Sequence, residues 1–98
     1  MVGAAINLDV RGFEWDEVNE AHLLRHGVRR QNVMDVYFGL PKYFVNFPER
    51  EGSHVMVVPS SSGVFFVISI RRTEADGIWR PITAWHVGER KARRLYGS

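Results

Sequence analysis

The chain has no cysteine, which removes disulfide frameworks, thiol nucleophiles and cysteine-based zinc sites together. Its absence fits a reducing, cytoplasmic setting. A long apolar run is also missing. The longest nearly apolar stretch, Val64–Ile70, is far shorter than the roughly 20 residues a membrane helix needs. The opening, Met1–Leu8, has no basic start and no extended apolar segment, so no secretory signal and no membrane partner are expected. There is no P-loop, dinucleotide glycine fingerprint, G-x-S-x-G elbow or H-E-x-x-H, and neither cofactor nor metal is expected from motifs. Ser60-Ser61-Ser62-Gly63 reads as a turn, not as a nucleophile.

What is present is enough for one domain: 98 residues, 45% of them hydrophobic, can bury a core without disulfide help. The net charge of +2 is unevenly placed. Residues 1–70 carry six Lys/Arg against eight Asp/Glu, and residues 71–98 carry seven against three. The C-terminal third is therefore basic, as a polyanion-facing surface would be, or as a solvated terminal helix would be.

Residues 1–12 read as a flexible leader and residues 13–98 as a single domain. Gly12–Trp15 has the alternation of a short strand. Asp16 then has the character of an N-cap, with Glu17 and Glu20 in the first helical turn, Arg25 and His26 in the last, and Gly27 placed to end the helix. Val18, Ala21, Leu24 and Val28 recur at steps of three and four, which predicts an apolar face. A second helix fits Arg30–Phe38, with Val33, Val36 and Tyr37 inward and Gly39 and Pro41 as the stop. The rhythm then changes. Tyr43, Val45 and Phe47 alternate, His54–Val58 and Val64–Ile70 are β-rich, and Ile78–Trp85 alternates across Pro81, which suggests an edge or a bulge. Glu89–Tyr96 predicts a short basic helix. The fold class is α+β: two N-terminal helices packed on an antiparallel sheet of about four strands, with a C-terminal basic helix.

His22 and His26 share a helix face, as metal ligands would, but a helix-end role for His26 and a surface or interhelical one for His22 account for them better than ligation does. The stronger constellation lies at the other end. Arg71, Arg72, Arg80, Arg90, Lys91, Arg93 and Arg94 are interleaved with Trp79, Trp85 and Tyr96. Arginine clamps with aromatic platforms suit single-stranded RNA; core tryptophans with solvated arginines are the competing interpretation. His86 is the nearby side-chain type suited to proton transfer near neutrality.

FEWDE at 13–17, followed by Leu23-Leu24-Arg25-His26-Gly27-Val28, resembles the opening of the BrnT-type toxins, small bacterial ribonucleases with a RelE-like fold. Arg80-Pro81-Ile82-Thr83-Ala84 is similar to that family's R-x-I-S/T-A segment, and a basic helix ending in tyrosine follows, so the resemblance spans about residues 13–96. Two positions depart from it: Trp85 stands where the family commonly has arginine, and Lys91 where it often has glutamate. The resemblance implies a toxin of a type II toxin–antitoxin system, a metal-independent hydrolase of the endoribonuclease class that cuts single-stranded RNA through attack of the 2′-hydroxyl on the adjacent phosphate. Arg80, which matches the family's strand arginine, and Arg90 on the basic helix would stabilise phosphate; His86, by its type and location and not by the motif, would move a proton, and Tyr96 would donate one or stack on a base. Arg71, Arg72, Trp85, Lys91, Arg93 and Arg94 would bind the RNA. The implied partner is a cognate, DNA-binding ribbon-helix-helix antitoxin, with a homodimer or a toxin–antitoxin hetero-oligomer as the assembly. The alternative is a non-catalytic module that docks antitoxin or RNA. Glu14 and His26 are left without a role by helix architecture alone.

Overall fold

A computed structural model describes residues 4–59 and 64–96; the turn expected at Ser60–Gly63 lies outside the described residues. The elements run β1 (Gly12–Phe13), α1 (Glu17–Arg25), α2 (Arg30–Phe38), β2 (Lys42–Val45), β3 (His54–Pro59), β4 (Val64–Arg72), β5 (Ile78–Gly88) and α3 (Glu89–Tyr96). The fold is α+β. The sheet, however, has five strands in the order β1-β5-β4-β3-β2, and it is mixed. β1 pairs parallel to β5, Gly12 with Ile78 and Phe13 with Trp79, which corrects the expected purely antiparallel four-stranded sheet. The chain leaves β5's neighbour through two helices before the meander begins, and a crossover of that length permits parallel pairing.

Local chemistry sets the helix boundaries. Asp16 caps α1 by accepting from the backbone N–H of Val18 and Asn19, and Asn19 returns a bond by accepting from the Asp16 N–H. At the far end Gly27 is left-handed (φ 74°). The Val28 N–H reaches the Leu23 carbonyl and the Gly27 N–H reaches the Leu24 carbonyl. This is the paired-bond helix stop in which the first residue beyond glycine packs back onto the helix, and Leu23 and Val28 do enter the same core.

Of the apolar face expected for α1 only Val28 is buried. Val18 is 73% exposed and Leu24 56%, whereas Leu23 is 1% exposed and Asn19 is buried. The reason is polar. Asn19 donates from Nδ2 to the carbonyls of Glu14 (2.9 Å) and Pro81 (3.1 Å), so it turns its own side of the helix toward β5. Leu23, one turn later, follows it into the core.

Two cores sandwich the sheet. On the α1–α2 side lie Leu23, Val28, Val33, Val36, Met56, Ile68, Ile70, Trp79 and Ala84. On the other side Phe44, Val55, Val57, Val67 and Val87 receive Ala92 and Tyr96 of α3. The β4–β5 register shifts between Ser69 and Ile70, whose partners are Thr83 and Pro81, which leaves Ile82 as an extra residue. Of the edge or bulge suggested by Pro81 it is a bulge, since β5 lies inside the sheet. The segment read as a leader is built into the fold from Ile6 onward: the Ile6 N–H bonds the Tyr43 carbonyl, the Asp9 carbonyl accepts from Trp79 Nε1, and the Val10 carbonyl accepts from the Tyr37 hydroxyl. No helix among the described residues is long and apolar enough to cross a membrane.

Candidate functional site

The β2–β3 connection, residues 46–53, folds over the α3 side of the sheet and builds one wall of a cavity. Asn46 is buried and organises the loop, with its Nδ2 donating to the carbonyls of Glu51 (2.9 Å) and Gly52 (3.1 Å) and its Oδ1 accepting from the Phe47 N–H (2.9 Å). Gly52 is left-handed (φ 87°), and a Cβ there would stand 2.9 Å from Ser69 Cβ. Only glycine meets both demands, and the loop is thereby pressed onto β4. One consequence is that Arg50 lies over the Trp85 indole, its guanidinium carbon 4.7 Å from the ring centroid.

α3 supplies the opposite wall. It follows β5 without a connecting loop and is anchored by Ala92 and by Tyr96, whose ring meets Phe44 at 5.2 Å between centroids. Between the walls is a cavity of about 270 Å³ bordered by Phe47, Arg50, Trp85, His86, Lys91 and Tyr96 among others. Arg50 and Lys91 take part in no ion pair among the described residues. The Tyr96 hydroxyl is pushed up from its usual pKa by burial, an effect the nearby Arg50 charge opposes. The cavity thus joins two cations, an indole and a phenol that stays protonated near neutrality, a set suited to a phosphate and a planar base.

The expected site residues are divided by the fold. Trp85, Lys91 and Tyr96 come together at this cavity, which His86 also borders. The His86 ring, however, stacks edge-on against Phe66 at 4.6 Å, and Phe66 packs on the α1–α2 core. By strand alternation the imidazole therefore lies on the opposite sheet face from Trp85 and Tyr96.

Arg80 stands roughly 15 Å away along β5 and is ion-paired. It makes two bonds to the Asp16 carboxylate (2.8 and 2.9 Å) and one to Glu14 (3.0 Å), and its side chain is only 15% exposed. The Arg80 hydrogen bond, with the Asn19 N–H behind it, holds the Asp16 carboxyl down at about 2, and the same carboxylates raise Arg80 further. Glu14 thereby acquires a role. Arg71 and Arg72 border an open groove beside this network, together with Glu14 and Glu74, and Arg72 also lies over Trp79 at 4.9 Å. On α3, Arg93 is tied to Glu89 (2.8 Å). Arg90 and Arg94 are exposed, on the side away from buried Ala92.

Arg50 was not legible as a site residue. It sits between Glu49 and Glu51 in a locally acidic turn, and only the loop's path carries it to Trp85. His22 and His26 approach to 5.4 Å between ring centroids, but no group of three or more potential ligands for a metal exists among the described residues. Comparison with family models, with curated proteins and with solved structures returns no match.

Proposed function

We propose that this chain is a BrnT-type toxin of a bacterial type II toxin–antitoxin system, RelE-like in arrangement and cytoplasmic, that cleaves single-stranded RNA without a metal and so arrests translation. The observation that carries the reading is the cavity in which Arg50, Lys91, Trp85 and Tyr96 converge. FEWDE and R-H-G-V flank α1, ahead of the meander and the basic helix.

In this reading the 2′-oxygen attacks phosphorus, the new P–O2′ bond forms as P–O5′ breaks, and the products carry a 2′,3′-cyclic phosphate and a 5′-hydroxyl. Arg50 and Lys91 offset the charge gained by the phosphorane. Tyr96, kept protonated by burial, donates to the departing 5′-oxygen, while the proton of the 2′-hydroxyl passes to solvent. Arg90 and Arg94 hold the RNA backbone beyond the cavity, and Arg80 serves the scaffold through Asp16 and Glu14.

The test is expression of the wild-type chain with growth and total RNA followed in time, alongside purified protein and a labelled single-stranded RNA in a chelator. Cleavage leaving cyclic phosphate ends is expected, and Tyr96→Phe should lower the rate about a hundredfold. Wild-type protein that neither arrests growth nor cuts RNA would refute the enzymatic reading.

A second reading, a non-catalytic module that docks an antitoxin or RNA, is favoured by two specific observations. The Arg80 guanidinium is occupied and the His86 ring faces away from the cavity, so two groups expected in the chemistry do not face a ligand there. The partner would be a ribbon-helix-helix protein whose tail covers the basic face and whose DNA-binding end represses their shared operon. Co-purification with the product of the adjacent small reading frame, without RNA cleavage by the free chain, is the outcome that selects it.

A further inference from the structure

We infer that Trp85 is a base-stacking platform held in reserve by Arg50, and that single-stranded RNA binds by exchanging one of its bases for the Arg50 guanidinium on the indole face. This rests on the RNA reading above and adds the subsite and the exchange.

Three arginines lie over tryptophans in this fold, and they are not equivalent. Arg30 over Trp15 is also bonded to Glu20 at 3.0 Å. Arg72 lies over Trp79, whose indole is buried and donates Nε1–H to the Asp9 carbonyl. Arg50 and the Trp85 it covers line one cavity together, whereas Arg72 borders its groove without Trp79, and among the described residues Arg50 has no carboxylate partner. Trp85 Nε1–H likewise makes no hydrogen bond to the described residues, so a ligand acceptor can take it.

The mechanics of exchange follow from the loop. Asn46 and Gly52 fix the backbone around Arg50, while its side chain is exposed. A guanidinium and a nucleobase are both flat and compete for the same ring face. At a solvent-exposed site the cation–π contact is the weaker of the two, because the guanidinium keeps its pull toward water, whereas a base gains stacking area. The displaced guanidinium then has a better partner than the indole, namely the phosphate joined to that same nucleotide, which it grips through paired N–H donors. Lys91, on the α3 wall, supplies a second cation. At about 270 Å³ the cavity is at the small end of ligand sites and suits a single nucleotide of the strand.

The experiment uses the full chain and a fluorescein-labelled hexauridylate methylated at every 2′-oxygen, which can be bound but not cut. Binding is read by anisotropy across a salt series, and tryptophan emission is read with the unlabelled oligonucleotide. Trp85→Ala should weaken binding about ten- to hundredfold, in line with loss of one stacked base. Trp85→Phe should keep most of the affinity yet lose the RNA-dependent change in emission, although Trp15 and Trp79 remain. Arg50→Ala, at an exposed position, should weaken binding and reduce the log–log salt slope by about one. Wild-type affinity in both Trp85→Ala and Arg50→Ala, or an unaltered emission change in Trp85→Phe, overturns the exchange while leaving RNA binding intact. A wild-type chain that binds no oligonucleotide at low salt overturns both the exchange and the RNA reading. Should Trp85→Ala fail to fold, Trp85→Phe and Arg50→Ala still decide.

Discussion

Replacing Asn19 by alanine tests the most consequential polar contact in the fold. Asn19 is 3% exposed and ties three backbone groups together: its Nδ2 donates to the Glu14 and Pro81 carbonyls, and its Oδ1 accepts from the Asp16 N–H at 2.8 Å. Pro81 lies 62 residues away in sequence, so one side chain joins the β1–α1 turn to the β5 bulge. Alanine removes all three bonds. The bond to Pro81 is buried, and its carbonyl is left without that donor, while the groups near Glu14 and Asp16 are part-buried and recover some water. Taking about 1 to 3 kcal/mol for the buried carbonyl and about 0.5 to 1 for each of the others gives a loss of about 3 kcal/mol. For a chain of this size that lowers Tm by roughly 12 to 24 °C. Asn19→Asp should cost at least as much, because a carboxylate would face two carbonyl oxygens. Urea unfolding followed by circular dichroism measures both, and an unchanged m-value marks a pure stability effect. A loss below about 1 kcal/mol for alanine, or a wild-type midpoint for aspartate, would refute the assignment of α1's inward face to Asn19.

The orientation of α1 has a second check: Leu23→Ala should cost about 2 to 5 kcal/mol, and Leu24→Ala, one residue on, no more than about 0.5. Gly52→Ala should destabilise by at least about 1 to 3 kcal/mol, since the left-handed backbone is strained for alanine and its Cβ would meet Ser69; the same variant should weaken RNA binding, because Arg50 rides on that loop. The Asp16–Arg80 pair predicts the acid limb. The Asp16 pKa falls from 3.8 unfolded to about 2 folded, so its contribution is fully present above about pH 4 and is lost as pH falls toward 2. Arg80→Ala should flatten the dependence of stability on pH in that window, and an unaltered slope would contradict the pairing.

The parts of this protein that were readable from residue order are those decided within a few residues of themselves. Asp16 as a cap, Gly27 as a stop, the span Arg30–Phe38 and the span Glu89–Tyr96 each depend on backbone groups one turn away. The bulge at Pro81 was legible for the same reason, since proline brings no N–H to a ladder wherever it stands. The inward face of α1 was not. Its sequence offers a Val18–Ala21–Leu24–Val28 stripe, of which only Val28 is buried, and a polar residue, Asn19, brings Leu23 inward instead by bonding to a strand that hydropathy does not register.

The candidate site divides along the same line. Trp85, Lys91 and Tyr96 could be named from composition because they lie within 12 residues on the last strand and helix. Arg80 carried the right charge, but its carboxylate partners are 64 and 66 positions away, and only folding shows that charge to be engaged. His86 had the right chemistry and the wrong phase, since one step along a strand reverses the face a side chain takes. Arg50 joined the cavity because Asn46 and Gly52 bend a loop across the sheet. Caps, stops and helix spans thus belong to residue order, because their energies are local. The face of a helix, the pairing of a charge and the membership of a cavity belong to the tertiary structure, because each depends on which distant backbone or side chain arrives beside it.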